Sequence, residues 1–311
     1  MRLEADIRTG MREASAYAPG HLTGFFQICD QPDDPLLKGS RGAGFSIDRG
    51  VHTRVRVEPS DRDTITVIMN GVITTGAVVS ENVVQRMLSK IDEGQRVEVA
   101  HEIQTPMGAG FGSSGGGAIT VALALNEALE LGLSYLEAAR VAHLAEIECK
   151  TGLGTVFAAT EGGFGALYNP GAPGIGEAVK YSRSDELAAV YMHFGPISTR
   201  EALSDPDIRR RINDLGGRFV DEFRRNLNPD RFMELSRRFT DYVGIATPRL
   251  RVVLDVADEA GVPCAMAMFG EALFSLISED EATNVAEMLE EAVPDHGVNI
   301  AKIENQGARL I

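Results

Sequence analysis

A run of six glycines in ten positions, from Gly108 to Gly117, has the residue types that a phosphate-binding loop needs. A backbone without side chains adopts positive φ angles and comes close to a ligand, so successive N–H groups can point at phosphate oxygens. Apolar residues then recur at helical spacing from Ala118 to Leu129, which predicts that the loop ends at a helix N-terminus, a favourable place for an anion. The loop has neither the Gly-Lys-Ser/Thr of a Walker A motif nor the strand-turn context of a Rossmann fingerprint. A flexible linker ahead of a core helix is the alternative interpretation.

Two acidic residues lie near the end of the helix predicted next. Ser134 and Glu137 form a capping box that opens a helix from Tyr135 to Cys149. Glu146 lies near its end, and Glu148 is the alternative candidate for a functional carboxylate. Either acid is also compatible with an ordinary solvated helix face.

Two cations occur in a second glycine-rich turn, Lys38 to Gly44, in a chain with only five lysines. Because a bare loop with an arginine can offer bidentate hydrogen bonds, Lys38 and Arg41 are candidates to bind a substrate carboxylate. A plain surface turn is the alternative. His21, in the predicted loop Pro19 to Phe26 at a strand end, is either a loop histidine or a ligand.

The elements that must position these residues include both strands and helices. Alternating apolar residues predict strands at Val51 to Val57, Thr64 to Met69 and Val97 to Ile103, and Asn70-Gly71 predicts a tight hairpin. The predicted order is strands, then a helix, then a strand. Because this order lacks regular βαβ alternation, it favours an α+β fold. The loop Pro170 to Gly174 precedes the predicted domain boundary.

The second half of the chain has clear helix-start signals. Asp205-Pro206 and Asn228-Pro229 both read as an N-cap followed by proline at the first helical position. The second of these helices has one apolar stripe and ends at Gly244; the stripe comprises Phe232, Leu235, Phe239 and Tyr242. The other elements predicted in this half are a strand at 188–194, two short strands around Gly270, a helix at 281–292 and a strand at 299–304.

Composition excludes several classes of partner. The 311 residues are 44% hydrophobic and carry a net charge of −15, which argues against nucleic acid or an anionic membrane, since both require a basic face. The N-terminal residues Met1 to Arg12 are charged, and no apolar run approaches the roughly 18 residues of a membrane span. Three scattered cysteines suggest neither a disulfide framework nor a zinc site. We expect a soluble cytoplasmic protein, with a homodimer among its possible assembly states.

Several of these stretches together resemble the GHMP kinase superfamily. Gly110-Phe111-Gly112-Ser113-Ser114 closely matches the ATP loop of that superfamily, and Pro19 to Phe26 looks like its first motif. Glu161 to Leu167 resembles its Gly-Gly-Phe strand. Its third motif is normally richer in glycine than the turn around Gly270. Within the superfamily the chain is closest to the archaeal pantoate kinases, through the stretches 18–26, 39–46 and 151–154.

The resemblance implies a two-domain α+β GHMP kinase fold. Residues 1–178 would form the N-terminal domain, of the ribosomal protein S5 domain 2-like type, and residues 179–311 a ferredoxin-like C-terminal domain. The implied reaction is transfer of the γ-phosphoryl group of ATP to (R)-pantoate, giving 4-phosphopantoate on the archaeal route to coenzyme A. Another hydroxy acid or amino acid, such as homoserine or shikimate, and a non-catalytic nucleotide-binding role are the alternatives.

The resemblance also implies site residues. Mg²⁺ would be held by Glu146 together with the hydroxyl of Ser113 or Ser114, and Ser114 is the assigned ligand. The predicted catalytic residues are Ser113, Ser114, Glu146 and Thr155. Lys38 and Arg41 would face the pantoate carboxylate, with His21 near the hydroxyl. The residues predicted to bind ATP are Pro106, Gly108, Gly110, Gly112, Ser113, Ser114 and Gly115.

One position departs from the family pattern. Where the superfamily has an aspartate after a Ser-Gly-type turn, this chain has Thr155, or Gly154 if the turn is one residue shorter. Neither residue carries a carboxylate, so the residues predict either a slow kinase that transfers without a carboxylate base or a binding protein.

Overall fold

The computed structural model describes residues 10–294 and 296–311. Residues 1–9 lie outside this description; they belong to both the predicted N-terminal domain and the charged N-terminal segment. In the described part the strands are β1 Arg12–Cys29, β2 Gly39–Pro59, β3 Thr64–Met69, β4 Val72–Ile73, β5 Gln95–Ile103, β6 Phe164–Asn169, β7 Glu177–Lys180, β8 Leu187–Pro196, β9 Ala265–Met266, β10 Gly270–Ser278, β11 Asn299–Lys302 and β12 Arg309–Leu310.

The helices divide into two groups along the chain, with α1 to α4 before β6 and α5 to α9 after β7. Their bounds are α1 Val78–Leu88, α2 Ser113–Ala128, α3 Tyr135–Cys149, α4 Thr155–Glu161, α5 Thr199–Ser204, α6 Pro206–Arg225, α7 Pro229–Val243, α8 Pro248–Glu259 and α9 Ala282–Ala292.

Two sheets organise the molecule. The larger has the order β12-β1-β2-β5-β3-β4, with β6 pairing to β2 and β7 to β6. Its pairs are antiparallel except for β3 with β5. The smaller sheet, β11-β8-β10-β9, is antiparallel. This mixture confirms the α+β prediction.

Both faces of the larger sheet are buried. One face packs against α1, α2 and α3 through an aliphatic cluster that includes Val55, Val99 and Leu125. The other face carries Phe25, whose ring contacts Phe219, Phe223, Phe232 and Phe239 of α6 and α7. The sheet is therefore the central layer of the molecule, and elements from both halves of the chain are positioned by it.

Two predicted loops are strands in the structure. The segment Pro19 to Phe26 continues β1, and the turn Lys38 to Gly44 is mostly the beginning of β2. These strands pair antiparallel along nearly their full length, with register shifts after Pro19 and Thr23. Glycine is used here for close approach, because a Cβ at Gly44 would lie 2.6 Å from His21 Nε2.

The capping predictions are confirmed. Ser134 and Glu137 form the capping box of α3, and Asp205 and Asn228 cap the proline-started helices α6 and α7. Gly244 ends α7 with a φ of 67°. The predicted apolar stripe was wrong at Tyr242, which is 45% exposed and donates its hydroxyl to Asp214.

Several elements were not predicted, among them a helix and a strand in the second half of the chain. Helix α8 lies between Gly244 and the short strand β9, and strand β12 pairs with Ala16 and Tyr17 of β1. The second of these is only two residues long, and its partner is at the other end of the chain, so no local pattern identifies it. The division after residue 178 falls inside β7 and stays a prediction.

A buried histidine gives the fold a pH dependence. His101 is held between Thr53 Oγ1 at 2.7 Å and Ser80 Oγ at 3.0 Å, and burial lowers its pKa to about 4. Between pH 6.5 and 4 the unfolded imidazole binds a proton that the folded one does not, so stability falls as pH falls. From pH 7 to pH 5 we expect this residue alone to remove about 2 kcal/mol from the free energy of unfolding.

Denaturant unfolding of the wild type and of His101→Gln at both pH values measures this contribution. The variant should lose correspondingly less stability than the wild type over the same interval. Identical losses in the two proteins would contradict the prediction.

Candidate active site

The glycine run forms a loop that leads directly into α2. Gly108, Gly110 and Gly112 have φ angles of 73°, 83° and 68°, in the left-handed region that favours glycine. Gly112 is the N-cap of α2 and supplies no side-chain cap, so the first N–H groups of the helix, starting at Ser113, are left for a ligand. The loop therefore has the predicted geometry of an anion site at a helix N-terminus.

Segments from both halves of the chain hold this loop in place. The His21 amide donates to Phe111 O at 2.9 Å, and the Ile197 amide donates to Gly108 O at 3.0 Å. A Cβ at Gly110 would lie 2.9 Å from Met268 O, and one at Gly270 would overlap the backbone of Ala109. The turn before β10 thus packs directly on the glycine loop, a contact that its sequence left uncertain.

Glu146 is fully buried beneath the loop. Its Oε2 accepts from the Val156 amide at 3.3 Å, whereas its Oε1 has no hydrogen-bond partner among the described residues. Burial raises the pKa of Glu146 to about 7, against hydrogen bonds from Val156 and Thr155 that lower it. A buried carboxylate oxygen without a partner is costly unless a ligand completes it.

Thr155 is the first residue of α4 and lies between this carboxylate and the glycine loop. A Cβ at Gly112 would fall 2.7 Å from Thr155 Cγ2, and one at Gly115 would fall 2.7 Å from Thr155 Cβ. A Cβ at Gly152 would be 2.9 Å from Thr155 Oγ1. Glycine at these three positions gives Thr155 and Glu146 the space to approach the loop.

The structure separates the two candidate acids of α3. Glu148 has a side chain that is 58% exposed and forms an ion pair with Arg86. Hydrogen bonds from Arg86 and Asn82 lower the pKa of Glu148. Glu148 is therefore a solvated helix acid, and Glu146 alone of the two faces the loop region.

Two cavities meet at the start of α2, and they share Ser113, Ser114 and Thr151. The first cavity runs along α4, β6 and β7 and includes His21 and Thr155. The second is mostly apolar; its lining includes Met69, Ala77, Val78, Val79, Ile103 and Met107. A group held by the first turn of α2 is thus accessible from both cavities.

His21 lines the first cavity, as its predicted substrate role requires. Its Nδ1 lies 3.3 Å from Ser46 Oγ, and burial lowers its pKa to about 4. The imidazole is therefore neutral at neutral pH and can exchange hydrogen bonds without adding charge.

Lys38 and Arg41, the two cations predicted to bind substrate, are not among the described residues that line either cavity. Arg41 donates to Tyr168 O at 2.8 Å and to Gln27 Oε1 at 3.2 Å, and it is paired with Asp221 of α6. Lys38 is half-buried just before β2. Pro106 also lies outside both linings, and its carbonyl accepts from the Ala109 amide at 3.4 Å.

Sequence reasoning missed Lys180 and Thr151, which do line the first cavity. Thr151 begins the stretch 151–154 that carried the family resemblance, but it was assigned no role. Lys180 is at the end of β7 and had no motif around it, so only strand pairing places it in this cavity.

Comparison with known proteins identifies the class. The model of the GHMP kinases N terminal domain matches residues 78–163, and that of the GHMP kinases C terminal domain matches residues 219–295. The chain belongs to the GHMP kinases, and it has their two-domain fold.

The most similar relatives include two archaeal proteins. A protein named pantoate kinase from Thermococcus kodakarensis is 34% identical over 278 residues, which are 88% of this chain and 91% of the relative. One of the same name from Methanocaldococcus jannaschii is 30% identical, over 89% of this chain and 97% of the relative. The chain is thus a kinase of this family.

A solved structure described as a phosphotransferase related to the CoA biosynthesis pathway superposes with a TM-score of 0.85 at 29% identity. The superposition covers 96% of this chain and 98% of that structure's chain. A mevalonate diphosphate decarboxylase from Enterococcus faecalis has a TM-score of 0.75 at 17% identity, covering 97% of this chain and 99% of the other, and shares the fold alone. None of the helices described above combines the length and the apolar composition that a membrane-spanning helix requires.

Proposed function

We propose that the protein is a cytoplasmic, ATP-dependent kinase that phosphorylates the primary hydroxyl of (R)-pantoate, giving 4-phosphopantoate for coenzyme A synthesis. The observation that carries the proposal is the pair of cavities that meet at Ser113 and Ser114, the first residues of α2. Relatives named pantoate kinase, with which the chain aligns over most of its length, support this choice of acceptor.

In this proposal each cavity takes one substrate. The apolar walls of the second cavity, such as Met69 and Val79, suit the adenine ring of ATP. The first cavity, with His21 and Thr155, takes the acceptor. The amides at the start of α2 then hold the transferring phosphoryl group between the two, as positioning for an in-line displacement requires.

The residues present fit a magnesium ion. Among the described residues there is no group of three or more His, Cys, Asp or Glu side chains that could hold a metal together. Mg²⁺ commonly binds through one or two carboxylates and substrate phosphates, and the partnerless Oε1 of Glu146 is suited to this role together with the Ser114 hydroxyl. When bound, Mg²⁺ supplies charge neutralisation on the phosphates.

The protein residues do the remaining work by orientation. In this proposal neutral His21 accepts a hydrogen bond from the acceptor hydroxyl, and Thr155 donates to Glu146 or forms a hydrogen bond with the acceptor. The turn before β10 closes over the glycine loop and helps to exclude water.

A coupled ADP-release assay tests the proposal. With ATP and Mg²⁺, (R)-pantoate should give a kcat/KM at least about tenfold above homoserine or shikimate, a difference of roughly 1.4 kcal/mol in transition-state binding. Turnover of another acceptor in preference to pantoate would replace the substrate assignment. ATP binding without turnover of any acceptor would favour a regulatory role.

The absence of a carboxylate at position 155 leads to a testable gain of function. Thr155→Asp should raise kcat with pantoate by at least about tenfold, since a general base typically contributes about 10² to 10⁴ in rate. The KM for ATP should change little. Thr155→Asn has nearly the same shape as the Asp variant and no charge, so it is the matched control.

Equal rates in the Asp and Asn variants would show that the carboxylate adds nothing at this position. A wild type that already turns over at the ~10 s⁻¹ typical of enzymes, with no gain in Thr155→Asp, would have the same meaning.

A further inference from the structure

We propose that Lys180 is the residue that binds the carboxylate of the acceptor, an inference that rests on the proposed function of the first cavity. Among the described residues that line this cavity, Lys180 is the one lysine or arginine. The overall charge of the chain is −15, so an anionic acceptor requires a local cation.

One face of α4 sets the distance between this cation and the reacting end of the cavity. Thr155, Ala158 and Glu161 follow each other at three-residue spacing, and all three line the cavity. Six residues of α-helix advance by about 9 Å. Because Lys180 Nζ is anchored at Glu161, it lies roughly this distance from the Thr155 end, enough for a short hydroxy acid with its hydroxyl and carboxylate at opposite ends.

The ammonium group is already held in a carboxylate-binding position. Lys180 Nζ donates to Glu161 O at 2.6 Å and lies 3.2 Å from Glu161 Oε2. An ammonium group has three donors, so Nζ can keep its hydrogen bond to Glu161 O while it binds a substrate carboxylate. That carboxylate would replace the Glu161 side chain, which is 40% exposed. Glu161 is then the intramolecular competitor of the substrate.

Two glycines of the cavity lining lie beside Lys180, and one of them leaves space next to its side chain. Gly163 and Gly165 line the same cavity, and Gly165 pairs directly with Lys180 in the β6–β7 ladder. A Cβ at Gly163 would lie 3.5 Å from Lys180 Cδ. A side chain at Gly163 would therefore occupy space beside the Lys180 side chain, whereas a Cβ at Gly165 would overlap Val179 O, so glycine at position 165 is required by the strand pairing.

The experiment measures binding separately from turnover. Calorimetric titration with sodium (R)-pantoate, in the presence of Mg²⁺ and a non-hydrolysable ATP analogue, is compared for the wild type and Lys180→Met. We expect the Kd for pantoate to rise by roughly 10- to 1,000-fold in the variant, as is typical when one partner of a charge pair is lost. Lys180→Arg should recover part of the affinity, and the KM for ATP should not change.

Two further comparisons separate a carboxylate-binding role from a structural one. The primary amide of pantoate carries no charge, so Lys180→Met should weaken its binding by less than about threefold, within the range of an exposed polar contact. Glu161→Gln removes the competitor and should tighten pantoate binding by roughly two- to fivefold. Lys302→Met, which breaks the exposed pair with Glu279, is the matched control and should bind pantoate like the wild type.

The outcomes distinguish the inference from the function on which it rests. If the wild type phosphorylates pantoate and Lys180→Met binds it normally, or if Arg41→Ala or Lys38→Ala weakens binding instead, the assignment of Lys180 is wrong and the function stands. If Glu161→Gln weakens binding as much as Lys180→Met, the pair is structural and the assignment is also wrong. If pantoate binds through Lys180 but no ADP is released, the kinase proposal fails alone; if the wild type does not bind pantoate, both fail.

Discussion

Glu146→Gln is expected to lower kcat/KM for ATP and pantoate by about 10²- to 10⁴-fold, because charge stabilisation by a bound metal ion is typically worth several kcal/mol. The buried Oε1 of Glu146 has no hydrogen-bond partner among the described residues, so it is the oxygen available to Mg²⁺. An amide in its place keeps the shape and loses the charge. Initial rates measured over a range of Mg²⁺ concentrations should show a matching loss of apparent Mg²⁺ affinity.

The neighbouring acid provides the control. Glu148→Gln lies two residues away on the same helix, and it replaces an exposed side chain that pairs with Arg86. We expect its kcat/KM to stay within about twofold of the wild type, as for most exposed ion pairs. Thermal unfolding without metal should show that Glu146→Gln is at least as stable as the wild type, since a buried carboxylate is costly to keep charged. Equal losses of activity in the two variants, or an inactive Glu146→Gln that does not fold, would contradict the metal role.

Gly112→Ala is expected to lower kcat/KM by about 10²-fold or more, since a displacement of about 1 Å in a positioning group can cost this much. The added Cβ would lie 2.7 Å from Thr155 Cγ2, and both the loop and α4 must shift to admit it. The φ of 68° adds a steric cost of about 1 to 2 kcal/mol for a residue with a Cβ. Steady-state kinetics with ATP and pantoate measure the first effect, and denaturant unfolding measures the second.

Gly132→Ala isolates the backbone cost from the contact with Thr155. Gly132 has the same φ of 68°, and a Cβ there would meet no atom within 4 Å. This control should lose about the same stability as Gly112→Ala and keep its activity. If Gly112→Ala keeps wild-type kcat/KM despite a comparable loss of stability, the close fit between the loop and Thr155 has no part in catalysis.

The parts of the fold that local chemistry determines were predictable from sequence. The capping box at Ser134, the proline-started helices α6 and α7 and the Asn70-Gly71 hairpin all follow from hydrogen bonds or φ angles within a few residues. The glycine loop was predictable for the same reason, since three of its glycines have positive φ.

The misassigned segments depend on distant partners. Glycine and proline in 19–26 and 38–44 read locally as turns, yet antiparallel pairing of β1 with β2 keeps both segments extended. Glu146 was identified through its family position, and the structure adds the physical signal, which is a buried oxygen without a partner among the described residues. Lys180 gave no local signal, because strand pairing and the path of α4 together place it in the cavity.

The pairing of β12 with β1 has a consequence for how the protein is made. Arg309 and Leu310 complete the larger sheet beside Ala16 and Tyr17, which leave the ribosome about 290 residues earlier. The Ala308 amide also donates to Ala159 O at 2.8 Å, so this late segment supports α4, a wall of the acceptor cavity. Nascent chains that still lack residues 308–310 therefore also lack this support for α4. We therefore expect activity to appear only after these residues have emerged, and not as a property of the first domain to fold.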